Sequence, residues 1–176
     1  METRRESEPA RMKSRTNVDR KSERELVVTR TINGPARIVF EAWTKPELFK
    51  RWWVPKSMGM SMSLLSCEMD VRAGGKYRLV FGVDGSKVME VFGRYIEVTP
   101  HSRLVWTNEE GDEGGAVTTV TFEEKGGQTL LVKHDLYPSK AALDGELASG
   151  AAEGLPEQFE QLDEFLLTLG ANLGRS

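Results

Sequence analysis

Two histidines and one cysteine are the side chains best suited to hold a transition metal or to act as a base or nucleophile. His101, His134 and Cys67 are far apart in the sequence, and no pair of them has the spacing of a metal-binding motif. We therefore expect no metal site. The single cysteine also excludes an internal disulfide, which fits a reducing cytoplasmic compartment.

His134 is the residue whose position could support chemistry. It lies in the segment TLLVKHDLY, where alternation places it on one face of a strand with three apolar residues, Leu130, Val132 and Leu136. If that face points toward a helix, the imidazole enters the space between them as a hydrogen-bonded core residue, a ligand contact or a catalytic base. His101 lies in a predicted turn, where we expect it to be solvated.

No catalytic motif accompanies these residues. The nucleophile elbow of hydrolases, the glycine-rich dinucleotide fingerprint and the phosphate-binding P-loop are all absent from the sequence. We therefore assign no catalytic residue and expect no cofactor. The sequence favours a binding protein over an enzyme, although a cavity enzyme can operate with one histidine and a water molecule.

Apolar side chains with strand or helix spacing could line a binding pocket. Tyr77 and Phe81 share one face of a predicted strand, Trp53 ends a short predicted helix, and Met62 belongs to an adaptable methionine-rich stretch. The residues that we expect to contact a ligand are Trp53, Met62, Tyr77, Phe81, Met89, Trp106, His134, Phe159 and Leu162. Each apolar member could instead belong to the core, and the choice depends on strand register.

These side chains must be positioned by a long amphipathic helix predicted from Leu155 to Leu169. Apolar residues recur there at steps of three and four, whereas Gln158 and Asp163 fall on the polar side. Gly170 is typical of a helix end. The apolar side of the helix needs a sheet to pack against.

Strands dominate the rest of the chain. A first strand at Glu25–Ile32 is followed by two short helices between Pro35 and Trp52. Six further strands, separated by turn residues, are predicted at Met60–Val71, Lys76–Val83, Lys87–Val98, Arg103–Asn108, Ala116–Glu124 and Thr129–Leu136. Short connections make these six antiparallel. The fold class is therefore α+β, with a curved antiparallel sheet around the C-terminal helix. The segment Tyr137–Gly154 is predicted to be either a frayed helix or a mobile loop.

Composition indicates one intracellular domain. A chain of 176 residues is long enough to bury one stable core. Residues 1–24 are basic and nearly devoid of large apolar side chains, which predicts a disordered tail, whereas the remainder is acidic and poorly suited to nucleic acid. The sequence contains no secretory segment and no apolar run of membrane-spanning length. We expect a cytoplasmic monomer or homodimer, with its domain at 25–170 and a short tail at 171–176.

Three stretches of the sequence resemble one known family. They are TINGPARIVFEAWTKPELFKRWWVP, DVRAGGKYR and GRYIEVTPHSRLVWT, which occur in this order. Together they resemble the activator-of-heat-shock-ATPase homologue (AHSA) family, in the START-like (SRPBCC) superfamily, from about Glu25 to Gly170. The resemblance implies a helix-grip fold and a cavity for apolar or amphipathic molecules. Eukaryotic members bind a heat-shock chaperone, and a few members of the superfamily catalyse cyclisation or hydrolysis.

Three functions follow as hypotheses. The leading one is non-catalytic binding of a small hydrophobic or amphipathic molecule between the sheet and the C-terminal helix. The second is a chaperone-binding module with a role in the stress response, which predicts an exposed patch and a pocket filled by the protein's own side chains. The third is a cyclase or hydrolase that uses His134 as its acid–base group.

Overall fold

The computed structural model of the chain describes residues 16–56, 62–109 and 115–174. Eight antiparallel strands form one sheet in the order β1-β2-β8-β7-β6-β5-β4-β3. Their bounds are β1 (Asn17–Arg20), β2 (Glu25–Ile32), β3 (Met62–Met69), β4 (Lys76–Val83), β5 (Ser86–Thr99), β6 (Arg103–Thr107), β7 (Val117–Lys125) and β8 (Gln128–Leu136). The predicted α+β class and the antiparallel pairing of the six later strands are confirmed.

In the described part of the chain, four helices and one 3₁₀ turn accompany the sheet. They are α1 (Ala36–Thr44), α2 (Pro46–Phe49), α3 (Lys140–Ala148), the turn Ala151–Gly154 and α4 (Leu155–Gly174). Two short helices follow β2, as the sequence predicts, because Pro46 ends α1 and occupies the first turn of α2. The second is shorter than predicted, since it ends at Phe49 and not at Trp52. None of the helices in the described part of the chain is long and apolar enough to cross a membrane.

Irregularities in β3, β4 and β5 accompany the curvature of the sheet. The pairing register shifts between Leu64 and Ser66 in β3, between Phe81 and Gly82 in β4, and between Tyr95 and Glu97 in β5. Gly93 brings β5 close to its neighbour, since a Cβ atom there would lie 1.9 Å from the carbonyl oxygen of Thr107. Only glycine permits this approach.

Helix α4 packs with Phe159, Leu162 and Leu166 fully or almost fully buried, as its apolar periodicity predicts. It is longer than predicted, because it continues past Gly170 to Gly174. Asp163 and Gln158 belong to the predicted polar side of the helix, yet both side chains are buried. Their polar groups are satisfied inside the protein, and apolar periodicity carries no information about such partners.

Asp163 ties α4 to the first long strand. Its Oδ2 accepts from Nη2 of Arg30 at 3.0 Å and from Nε at 3.3 Å, and its Oδ1 accepts from the backbone N–H of Asn33 at 3.1 Å. Asp163 is only 4% exposed and Arg30 8%. A buried ion pair with several hydrogen bonds fixes how the helix lies on the sheet.

Strand β1 corrects the prediction of a disordered tail up to residue 24. Asn17–Arg20 pairs with β2 in the register Asn17 to Thr29, and Arg20 forms a salt bridge with Asp144 at 2.7 Å. All four residues of β1 are exposed, so backbone pairing rather than apolar burial holds the strand. The amino-acid pattern therefore contains no signal for it. The rest of the predicted tail, residues 1–15, lies outside the described residues.

The alanine- and glycine-rich segment before α4 contains a helix. The Ser139 side chain caps α3 by accepting from the backbone N–H of Ala142 at 3.1 Å, and Leu143 is its buried residue. This settles the choice between a frayed helix and a loop in favour of a short helix. It covers one side of the space under the sheet.

Candidate ligand-binding cavity

A cavity of about 820 Å³ lies between the curved sheet and the helices. Strands β3 to β8 provide its wall, the loop after α2 and the start of α4 form one part of its border, and α3 with the following turn forms another. Its volume falls within the range of small-molecule sites.

Aromatic rings form much of the apolar wall. Trp106 lies 6.0 Å from Trp43 and 6.3 Å from Tyr95, measured between ring centroids, and Tyr77 lies 5.8 Å from Tyr95. Contacts of this kind hold each ring in a fixed orientation. The wall is therefore rigid on the side of β4, β5 and β6.

Most of the sequence-predicted contact residues line this cavity. Six do so: Trp53, Met62, Tyr77, Phe81, Met89 and Trp106. Phe159 and Leu162 do not, because they are fully buried in the core cluster beside the cavity. The alternating strand pattern located the cavity wall, whereas the helix residues facing the sheet are core.

His134 lies on the opposite face of β8, and the predicted contact with the cavity is wrong. Its Nε2 lies 3.0 Å from Oε2 of Glu25, and this hydrogen bond is the main reason why the pKa of Glu25 is lowered. The neighbours Lys133 and Asp135 line the cavity instead. Either face of β8 carries apolar residues, so alternation alone could not decide which one points inward.

His101 is exposed, as predicted, in a left-handed backbone conformation with φ 68°. Its ring makes an edge contact with Phe40 at 5.5 Å. Within the described residues, no group of three or more His, Cys, Asp or Glu side chains is arranged to hold a metal ion.

A chain of hydrogen bonds runs along the cavity wall from β4 to β8. The Tyr77 hydroxyl contacts Oδ1 of Asn108 at 3.1 Å, and Nδ2 of Asn108 donates to Oγ1 of Thr118 at 3.0 Å. The Thr118 hydroxyl donates to Oδ1 of Asp135 at 2.5 Å, and Nζ of Lys133 donates to Oδ2 of Asp135 at 2.6 Å. All five residues line the cavity. Sequence analysis missed four of them, because only Tyr77 has an apolar body.

The network keeps a buried charge pair in place. Asp135 is 4% exposed, and both of its oxygens accept hydrogen bonds, so the carboxylate is already satisfied. Burial also raises the pKa of Tyr95 and Tyr137, two further lining residues, so that their hydroxyls remain neutral. The wall thus combines an apolar surface with a few fixed polar groups.

Two glutamines of α4 hold the loop at the cavity border. Nε2 of Gln158 donates to the carbonyl oxygen of Trp53 at 2.6 Å, and Nε2 of Gln161 donates to those of Trp52 and Val54, both at 3.0 Å. The backbone N–H of Lys56 donates to Oε1 of Gln161 at 2.8 Å. The polar side of α4 therefore positions the border of the cavity.

One unpaired donor also belongs to the wall. Trp43 is 1% exposed and lines the cavity, and its indole Nε1 has no hydrogen-bond partner among the residues that the structure describes. A buried N–H of this kind costs free energy unless something accepts from it.

Comparison with solved structures confirms the fold. A protein from Nitrosomonas europaea is 25% identical with a TM-score of 0.75, over 86% of this chain and 99% of that one. A protein from Rhodobacter sphaeroides is 22% identical with a TM-score of 0.77, over 88% and 99% of the two chains. The AHSA1-like protein from Aeromonas hydrophila is 18% identical with a TM-score of 0.61, over 82% and 94%.

The search of curated proteins gives no match. The model of the family described as activator of Hsp90 ATPase homolog 1-like protein matches residues 33–166, which include α1, the strands that form the cavity wall and most of α4. The predicted family and helix-grip fold are thereby confirmed. The chain belongs to the activator of Hsp90 ATPase homolog 1-like family.

Proposed function

We propose that this protein binds a small hydrophobic or amphipathic molecule in the cavity under α4, in the cytoplasm, without a requirement for catalysis. The observation that carries the proposal is the cavity of about 820 Å³, with an apolar wall and a few fixed polar groups. A domain whose helix and sheet served only for stability would fill this space with its own side chains. Apolar contact would supply the affinity, and the polar network would orient the ligand.

The position of His134 does not support the cyclase or hydrolase hypothesis, which names this residue as its acid–base group. His134 contacts Glu25 on the far side of β8, so it cannot serve as an acid–base group in the cavity. Asp135 is also a poor candidate for a base, because both of its oxygens already accept hydrogen bonds from Thr118 and Lys133. Binding without turnover is therefore the function that this geometry supports best.

A thermal-shift titration with fatty acids, sterols, flavonoids and aromatic polyketides tests the proposal. Val91 lines the cavity, so Val91→Trp should fill part of it and abolish the saturable stabilisation. Val88 on the same strand is 56% exposed, and Val88→Trp is the matched control that should bind as the original chain does. Absence of any saturable shift, or equal shifts in both variants, would reject cavity binding.

Chaperone binding is the second candidate, and one surface feature favours it. Phe92 and Ile96 lie on the outer side of β5 and are 40% and 52% exposed, which matches the exposed patch that this hypothesis predicts. The open cavity does not match its prediction of a filled pocket. The test is stimulation of Hsp90 ATPase activity, which Phe92→Glu should abolish while Leu167→Glu, on the exposed side of α4, should not.

A further inference from the structure

From the hydrogen-bonding groups of the cavity wall, we infer the class of molecule that it binds: an uncharged aromatic compound that presents a carbonyl oxygen to Lys133. The inference rests on the proposed binding function and adds the chemical class of the ligand. It depends on three features of the wall, namely its acceptors, its donor and its charge.

The acceptors of the polar network are already engaged. Both oxygens of Asp135 accept, from Thr118 and from Lys133. The oxygen of Thr118 accepts from Asn108, and Oδ1 of Asn108 lies within hydrogen-bond distance of the Tyr77 hydroxyl. Asn108 and Thr118 therefore donate in the direction of Asp135, and the Tyr77 hydroxyl also lies 2.8 Å from the carbonyl oxygen of Thr107. A ligand that offers only donors would compete with these bonds.

One donor of the same wall remains. The Lys133 ammonium has three N–H groups, and in the described residues its partner is Oδ2 of Asp135 alone. Its side chain is 12% exposed, so most of it is shielded from solvent. The indole N–H of Trp43 also has no partner among the described residues, but its nitrogen is covered by neighbouring atoms, so a ligand in the cavity does not contact it. The Lys133 ammonium is therefore the donor that a ligand can use.

Lys133 belongs to a region of the wall that also carries an aromatic ring. Trp106 is the cross-strand neighbour of Thr118 in the β6–β7 pair. Thr118 is in turn the neighbour of Asp135 in the β7–β8 pair and bonds to it directly, and Asp135 accepts from Lys133. An aromatic molecule against Trp106 would therefore present its acceptor toward Lys133.

The charge of the wall argues against an anion. The positive charge of Lys133 is balanced by Asp135, and the other charged residues that line the described cavity are Glu146 and Glu153. A carboxylate ligand would meet a wall with an excess of negative charge. An uncharged carbonyl compound gains the hydrogen bonds without this repulsion.

The test uses three compounds of nearly equal shape: fluorene, 9-fluorenone and fluorene-9-carboxylate. Fluorenone adds one carbonyl oxygen to fluorene, and the third compound replaces it with an anion. Calorimetric titration should show fluorenone binding about tenfold or more tightly than fluorene, and the carboxylate most weakly. The ¹³C resonance of the fluorenone carbonyl should also move downfield on binding, since it then accepts hydrogen bonds.

Variants identify the donor. Lys133→Met should remove most of the preference for fluorenone over fluorene, whereas Lys125→Met, an exposed lysine on β7, should leave it unchanged. If Lys133→Met fails to fold because Asp135 is left unpaired, the double variant Lys133→Met, Asp135→Asn removes both charges and should give the same loss.

The outcomes separate this inference from the proposed function. Equal affinity for fluorene and fluorenone, an unmoved carbonyl resonance, or tightest binding of the carboxylate would overturn the inference and leave cavity binding intact. Failure of all three compounds to bind a protein that binds other members of the panel would do the same. If nothing in the panel binds, both are overturned.

Discussion

At the scale of single residues, the buried charges distinguish this chain from an ordinary apolar core. Arg30 with Asp163 and Lys133 with Asp135 are both nearly enclosed pairs, one behind α4 and one on the cavity wall. Removal of one partner from such a pair leaves an uncompensated charge in a region of low polarity. The first pair should therefore matter for stability, and the second for the shape and polarity of the site.

Asp163→Leu should lower the free energy of unfolding by about 3–5 kcal/mol, because it leaves the buried Arg30 guanidinium without its carboxylate. The matched control is Asp144→Leu, which removes the exposed partner of Arg20 and Lys140 and should cost far less, because solvent screens an exposed ion pair. Urea denaturation of both variants provides the comparison. Equal losses would show that the Arg30–Asp163 pair is not an internal one.

Cys67 should be a poorly reactive thiol. Burial raises its pKa to about 11, with a small opposing effect from Lys50. At pH 8 the thiolate fraction should be about 100-fold below that of an ordinary cysteine, since at a fixed pH below both pKa values the fraction falls tenfold for each unit by which the pKa is raised. The rate of reaction with a disulfide reagent should rise about tenfold per unit between pH 8 and pH 10. A rate at pH 8 equal to that of a free thiol would contradict the buried placement on β3.

At the scale of elements, α4 has two tasks. Its apolar side packs into the core, and the polar residues Gln158 and Gln161 hold the carbonyl groups of the loop after α2. Because the loop residues Trp53, Val54 and Pro55 line the cavity, the helix also positions the border of the cavity.

Gln161→Leu should release this loop while the helix remains folded. The amide of Lys56 donates to Oε1 of Gln161 at 2.8 Å, so its hydrogen exchange should accelerate strongly in the variant. Glu160→Leu changes the adjacent exposed position and should leave that amide protected. Unchanged exchange of the Lys56 amide in Gln161→Leu would show that the glutamine does not position the border.

The sequence predicted the elements better than their faces. Alternation located β2 and β4 to the residue, and helical periodicity located α4, because apolar burial drives both patterns. The inward face of β8 was assigned incorrectly, since Lys133 and Asp135 satisfy each other and can therefore lie inside. Strand β1 was not predicted, because backbone pairing holds it and its side chains are exposed. Side-chain partners from distant strands decide such cases, and one strand's pattern does not contain them.

At the scale of the whole molecule, sheet curvature and a single long helix leave a space that the core does not fill. Trp43, Trp53 and Trp106 line this space, whereas Trp52 is fully buried outside it and donates from Nε1 to the carbonyl oxygen of Ala42 at 3.0 Å. Of the four tryptophans of the chain, three are therefore probes of the cavity and Trp52 is a probe of the adjacent core.

Fluorine NMR of the protein labelled with 5-fluorotryptophan tests cavity binding most directly. During titration with 9-fluorenone, or with the best binder of the thermal-shift panel, the signals of Trp43, Trp53 and Trp106 should shift saturably with one common affinity. Trp52 should shift least, because it lies outside the cavity. If the three lining signals stay in place at saturation, or if all four drift together without saturation, the cavity is not a ligand site and the central claim is wrong.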